Sequence, residues 1–184
     1  MYNRYSFSCT RCGQTHVCDT GCAFEVPYHY FNLSDEQKAS LATLDTDFCS
    51  IKHDHQTDYF VRAVLEMPVH DDANLMYSWY VWVAIDEATW TAYQAFLRGE
   101  GPAINGAGWL ANQLSAYPET LNLQVEFRPR AGGLRPLVFV QRIPQQMAHP
   151  LLQHQYGGFG VAQLQALSEH LVHANSTESP TNAD

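Results

Sequence analysis

The chain has 184 residues, 46% of them hydrophobic and 12% aromatic, and carries a net charge of −9 from 19 acidic and 10 basic side chains. That size and apolar content suit one core in one domain, and the acidic balance argues against nucleic acid, whose phosphates need a basic surface. The longest apolar run, Met76–Ile85, has only strand length, far short of the roughly 20 residues that cross a bilayer.

The N-terminus, Met1-Tyr2-Asn3-Arg4, lacks the apolar segment of a secretory signal. The expected setting is therefore a reducing cytoplasm, where five cysteines favour metal over disulfide. The strand-like Tyr5-Ser6-Phe7 runs into Cys9-Thr10-Arg11-Cys12-Gly13-Gln14-Thr15-His16. A Cys-x-x-Cys turn aims two sulfurs at one point, Gly13 permits left-handed backbone, and His16 lies within reach of the same ion. Residues 1–30 thus read as a knuckle segment holding half of a zinc site. The competing reading is a reduced pair beside a tight turn with no metal. A redox pair fits less well, because neither a βαβ context nor a helix start follows Cys12.

Ser34-Asp35-Glu36-Gln37 is a capping box and predicts a short helix over 35–44. Strands follow at Phe48-Cys49-Ser50-Ile51 and over 59–67, where Tyr59, Val61, Ala63, Leu65 and Met67 share a face opposite Arg62 and Glu66. After the polar turn 70–74, Tyr77, Trp79, Val81, Val83 and Ile85 alternate in a second long strand, giving an antiparallel hairpin. Asp86 caps a helix predicted over 87–97, and a glycine-rich loop spans 99–108. Leu121, Leu123, Val125 and Phe127 alternate in a strand that turns at 129–133 and returns over 134–141, a second hairpin. Val161, Leu164, Leu167 and Leu171 form the apolar stripe of a helix over 161–172, and the polar tail 174–184 is expected to be disordered. Grouped strands with interspersed helices predict an α+β fold: a largely antiparallel sheet with two hairpins, flanking helices and a zinc-knuckle-like turn, forming one domain over 1–173. Charge is uneven as well, with acids concentrated over 19–58 and Arg128, Arg130, Arg135 and Arg142 clustered later. Such a dipole orients a partner or pairs two parts of the fold.

Several short motifs together resemble one family. They are Phe7-x-Cys9-x-x-Cys12-Gly13-x-x-His16, Asp47-x-Cys49, Phe60-Val61-Arg62, Trp79-x-x-Trp82-Val83, Gly108-Trp109-Leu110, Tyr117-Pro118-x-Thr120-Leu121, Arg135-Pro136 and His149-Pro150-Leu151. On these the chain is identified as a member of the bacterial domain family DUF2199, over roughly residues 5–170. The resemblance implies a small α+β domain with an N-terminal cysteine knuckle and assigns no activity. Ala63 and Tyr80 stand where its pattern has glycine, and Cys18 and Cys22 are additional to it.

A structural zinc site takes four ligands, so Cys9, Cys12 and His16 leave one place. Cys49 is the favoured fourth ligand: it matches a family position and begins a strand able to lie beside the first. Cys22 is the local alternative, Cys18 another, and His53 or His55 more remote. His53-Asp54-His55 and His70-Asp71-Asp72 carry metal-capable groups but lack the helical His-Glu-x-x-His spacing and sit in turns. No Gly-x-Ser-x-Gly elbow or phosphate loop occurs, so the sequence shows no catalytic residues. Trp82, Trp109 and Tyr117 are candidate partner-binding residues, since aromatics with polar handles anchor interfaces as well as cores. Trp79 and Trp82 lie on opposite faces of their strand, and a sheet covered on one side would bury only one of them.

The expected function is that of a non-enzymatic acidic domain, stabilised by zinc and binding a basic protein partner. An immunity-type protein neutralising a basic toxin is one form of it. A metal-dependent hydrolase using the histidine-rich loops is the alternative.

Overall fold

The computed structural model describes residues 4–72 and 75–176, with the backbone alone for 174–176. Strands β1 (Arg4–Ser8) and β2 (Thr15–Asp19) pair antiparallel as a separate hairpin, with the cysteine turn at its tip. β3 (Gly21–Ala23) enters the main sheet, and a short helix α1 (Tyr28–Phe31) leads to α2 (Asp35–Leu41). The capping box predicted at Ser34 and Gln37 is formed in both directions. The helix stops at Leu41 because β4 (Ala42–Leu44) pairs with β5 (Phe48–Lys52), so the last predicted helical residues are strand.

The two longest strands, β6 (Thr57–Pro68) and β7 (Met76–Ile85), form the expected hairpin in continuous register from Tyr59 opposite Ile85 to Pro68 opposite Met76. Asp86 caps α3 (Glu87–Leu97) by accepting from the Thr89 amide at 2.7 Å. β8 (Gly106–Leu110) begins within the predicted glycine-rich loop. β9 (Gln124–Arg128) and β10 (Leu137–Val140) make the second hairpin, shorter than its alternation suggested. A 3-10 turn at Pro144–Gln146 precedes α4 (Pro150–Gly157) and α5 (Val161–Ser176). Residues 177–184 of the predicted disordered tail lie outside the described residues; 174–176 belong to α5.

The fold is α+β, and its sheet is largely antiparallel. β7 pairs with β8, β8 with β9 and β9 with β10. β10 then returns parallel to β6 through Leu137 opposite Val64, closing five strands into a small barrel. β3 lies parallel to β7, and β5 and β4 extend from the edge of β6 opposite β7, the edge that also carries β10. Closure leaves the middle of the barrel without free edges, which removes a route to edge-to-edge association.

Alternation on β6 and β7 sends Val61, Ala63, Leu65, Met67, Trp79, Val81 and Val83 into the principal core, together with Val125, Phe127, Val138 and Val140. Leu151 and Leu152 of α4 and Leu164 and Leu167 of α5 pack against the same cluster. The opposite face is covered too. Phe60, Trp82, Cys49, Ile51 and Ala111 form a second cluster beneath Phe24, Tyr30, Leu33, Ala42 and Leu44. Both Trp79 and Trp82 are therefore 0% exposed, because residues 24–44 supply a second cover. Asn112 fastens that cover: its Oδ1 accepts the Trp82 amide at 2.7 Å, and its Nδ2 donates to the Val26 carbonyl at 3.0 Å.

Gly108 shows how closely β8 lies on β7. A Cβ there would stand 2.6 Å from Val83 Cγ1 and 2.7 Å from the Ala84 carbonyl oxygen. Gly108→Ala is expected to cost about 1–3 kcal/mol by overpacking, seen as a lower urea midpoint at unchanged slope. Among the described residues no helix is long and apolar enough to cross a membrane.

Candidate metal centre

The hairpin turn is built by its own backbone. The Cys9 amide donates to the Gln14 carbonyl at 2.8 Å, the Gly13 amide returns to the Cys9 carbonyl at 3.0 Å, and Gly13 takes φ +72°. A side chain at that φ carries a steric cost that glycine avoids. The turn brings Cys9, Cys12 and His16 to one point, as their spacing indicated, and the fourth group there is His173 of α5. One ligand atom from each of the four lies within 4.8 Å of every other. Cys9 Sγ is 3.2 Å from His173 Nε2, and Cys12 Sγ is 3.2 Å from His16 Nε2. Ligands held 2.0–2.3 Å from an ion at tetrahedral angles stand roughly 3.3–3.8 Å apart. The four groups therefore lie close enough to hold a metal ion. Cys9 is buried and Cys12 exposed, so the cluster spans from the hairpin's inner side to solvent.

Cys49, the favoured fourth ligand on sequence, is not in this group. It lies on β5 opposite Phe60 of β6 and Leu44 of β4, inside the second core cluster. Burial, and then the nearby Asp45 charge, push its thiol up to about 12, and a thiol kept protonated is a poor metal ligand. Cys22 pairs opposite Trp79 and Cys18 opposite Tyr5, and burial raises both thiols. His53 Nε2 is bound at 2.9 Å by Asp58. Asp71 accepts the first amide of α5, from Val161, at 2.9 Å, so the 70–72 turn seats a helix.

A shell of hydrogen bonds locks α5 against the turn. Glu169, 7% exposed, accepts the Thr10 amide on one oxygen and the Thr10 hydroxyl on the other, each at 2.8 Å. Gln165 Nε2 reaches both Glu169 and the Ser8 carbonyl at 2.9 Å. Hydrogen bonds from Gln165, then from Thr10, hold the Glu169 carboxyl down at about 2. It is a fixed negative charge one helical turn from His173, of the kind that orients ligand-bearing elements. The His16 ring stacks obliquely on Phe7 at 5.6 Å and meets His173 edge-on at 6.0 Å.

Of the three aromatics read as partner-binding, Trp82 is interior, with its Nε1 donating to the Phe24 carbonyl at 3.1 Å. Tyr117 is 8% exposed, its hydroxyl 2.9 Å from His154 Nδ1. Trp109 alone faces solvent, at 41% exposure. It stands on the rim of a groove of about 540 Å3 together with His29, Asp58, Tyr59, Asp86 and Glu87, and among the described residues no Lys or Arg lines it. Asp86 is held below the usual carboxylate range by its bonds from Thr89, and Glu87 has no partner among the described residues. The uneven charge is partly settled within the fold, since Arg135 pairs with Asp47 at 2.6 Å and Arg130 with Glu66 at 3.9 Å.

Fold and site together define a small α+β barrel domain whose first hairpin and last helix converge on two thiols and two imidazoles. The chain belongs to DUF2199, a family described as an uncharacterized protein conserved in bacteria, whose family model matches residues 8–159. That stretch holds Cys9, Cys12 and His16, and His173 lies beyond it. No curated protein and no solved structure matches the chain significantly.

Proposed function

We propose that this is a non-catalytic binding domain, stabilised by one zinc ion and engaging a basic protein through the groove around Trp109. The observation that carries the reading is the gathering of four metal-capable groups at one point. Two thiols and two imidazoles within 4.8 Å of one another match the donor set of structural zinc, and an ion held by all four would leave no place for an activated water. The ion joins residues 9–16 to residue 173, so its work is to hold the two ends of the fold together. Five free cysteines suit a reducing compartment such as the cytoplasm.

The groove supplies the binding face. A Lys or Arg side chain laid over Trp109 gains a cation–π contact and meets the carboxylates of Asp58, Asp86 and Glu87, whereas a phosphate backbone meets only repulsion. Complementary fields also speed association, and a basic toxin neutralised by an immunity-type protein is the form of partner this favours. The competing reading, a hydrolase with a metal in the histidine-rich loops, needs a second group of ligands. Among the described residues, Cys9, Cys12, His16 and His173 form the single such group.

Titrating the zinc-loaded protein with an oligo-arginine peptide, followed by fluorescence anisotropy, tests the reading. Trp109→Ala is expected to weaken binding about tenfold or more, the loss typical of a central aromatic anchor. Equal affinity for oligo-arginine and oligo-glutamate, or an unchanged Trp109→Ala, contradicts it.

A further inference from the structure

A second cavity, of about 380 Å3, opens between residues 115–117, α4 and α5, and shares no lining residue with the Trp109 groove. Phe159, Ala166 and Leu167 make its apolar wall, and His154, Gln163 and His170 its polar one. Among the described residues no Asp, Glu, Lys or Arg lines it, although the chain carries a net charge of −9. The size falls within the range of small-molecule sites.

The polar groups are set to donate. The buried Tyr117 hydroxyl lies 2.9 Å from His154 Nδ1 and 3.5 Å from Met67 Sδ, of which the imidazole nitrogen is the stronger acceptor for its one proton. With the hydroxyl donating to Nδ1, the proton of a neutral His154 stands on Nε2, and burial pushes the ring's pKa down, towards that neutral form. The Gln163 oxygen is already taken by the Gly160 amide at 2.8 Å, which leaves the Gln163 NH2 group as a donor. The His170 ring has no partner among the described residues.

From this arrangement we infer that the cavity binds a small carboxylic acid with an apolar body, the body against Phe159, Ala166 and Leu167 and the carboxylate accepting from His154, Gln163 and His170. The absence of lining carboxylates removes the repulsion such an anion would otherwise meet. An apolar body of about ten heavy atoms suits the space.

Isothermal titration calorimetry of the zinc-loaded full chain with 3-phenylpropanoate, and with 3-phenylpropan-1-ol as the uncharged counterpart, tests the assignment. The acid is expected to saturate one site and to bind at least about tenfold more tightly than the alcohol, since hydrogen bonds to an ionised acceptor are the stronger ones. His170→Gln should weaken the acid several-fold and leave the alcohol unchanged. Leu167→Trp, which fills the cavity, should abolish both, and if it fails to fold, Ala166→Leu blocks the same wall from a more exposed position. Absence of saturable heat with the acid, equal affinity for acid and alcohol, or unchanged binding in a folded blocking variant overturns the assignment. Zinc content measured on the same samples separates such a failure from loss of the metal centre.

Discussion

His173→Ala is expected to release the zinc ion to a mild chelator and to lower the melting temperature by about 8–16 °C. The estimate follows from linkage: an ion free at a thousand times its dissociation constant stabilises the folded chain by about 4 kcal/mol. For a domain of this size each kcal/mol moves the midpoint by about 2–4 °C. His173 is the ligand of choice because its removal leaves the knuckle sequence intact, so the loss reports the link to α5 and not the turn itself. Chelating the wild-type protein should produce the same shift, and His173→Ala should show no further shift on chelation. His170→Ala, three residues earlier on the same helix, serves as the control and should move stability by no more than about 0.5 kcal/mol. Differential scanning calorimetry with and without chelator reads all of these. If His173→Ala keeps its metal and its midpoint, α5 does not contribute a ligand.

Trp82→Ala is expected to destabilise the protein by about 3–5 kcal/mol, the range for emptying a fully buried aromatic site. The indole fills the second core cluster between Phe60 and the cover formed by residues 24–44, and its loss also strands the Phe24 carbonyl that accepts from Nε1. Trp109→Ala, by contrast, should cost less than about 1 kcal/mol, because that ring is 41% exposed and crosses no core. Urea unfolding monitored by far-UV circular dichroism separates the two. A small effect at Trp82 would mean that the segment over the outer sheet face is not seated in solution. The contrast also separates stability from binding: Trp82 supports the fold, whereas Trp109 is free to serve the surface.

What the sequence discloses is mostly local. Alternation on β6 and β7 gives both the strands and the faces they present, and the cap residues Ser34 and Asp86 place the starts of α2 and α3. β2 escapes such reading because Thr15–Asp19 has no inward apolar row, and Val17, its most apolar residue, is 61% exposed. Barrel closure escapes it for a different reason. Leu137 meets Val64 across a large sequence separation, and no local pattern encodes a parallel return. The cover over Trp82 is assembled from a short strand and two short helices, each too brief to display a period.

The metal centre was half legible for the same reason. Cys9, Cys12 and His16 sit within one turn, where spacing alone brings them together. The fourth group is brought in by tertiary packing, and Cys49, a thiol at a strand start, lies inside the second core cluster, apart from Cys9, Cys12 and His16. One signal was available. Gln165, Glu169 and His173 recur every four residues on α5, a polar stripe beside the apolar one.

Zinc-edge X-ray absorption on protein purified without added metal tests the central claim most directly. The account predicts about one zinc per chain, with two sulfur neighbours near 2.3 Å and two nitrogen neighbours near 2.0–2.1 Å. Protein that carries no zinc, or a shell with three or more sulfurs or with a bound water, contradicts a closed site made by Cys9, Cys12, His16 and His173.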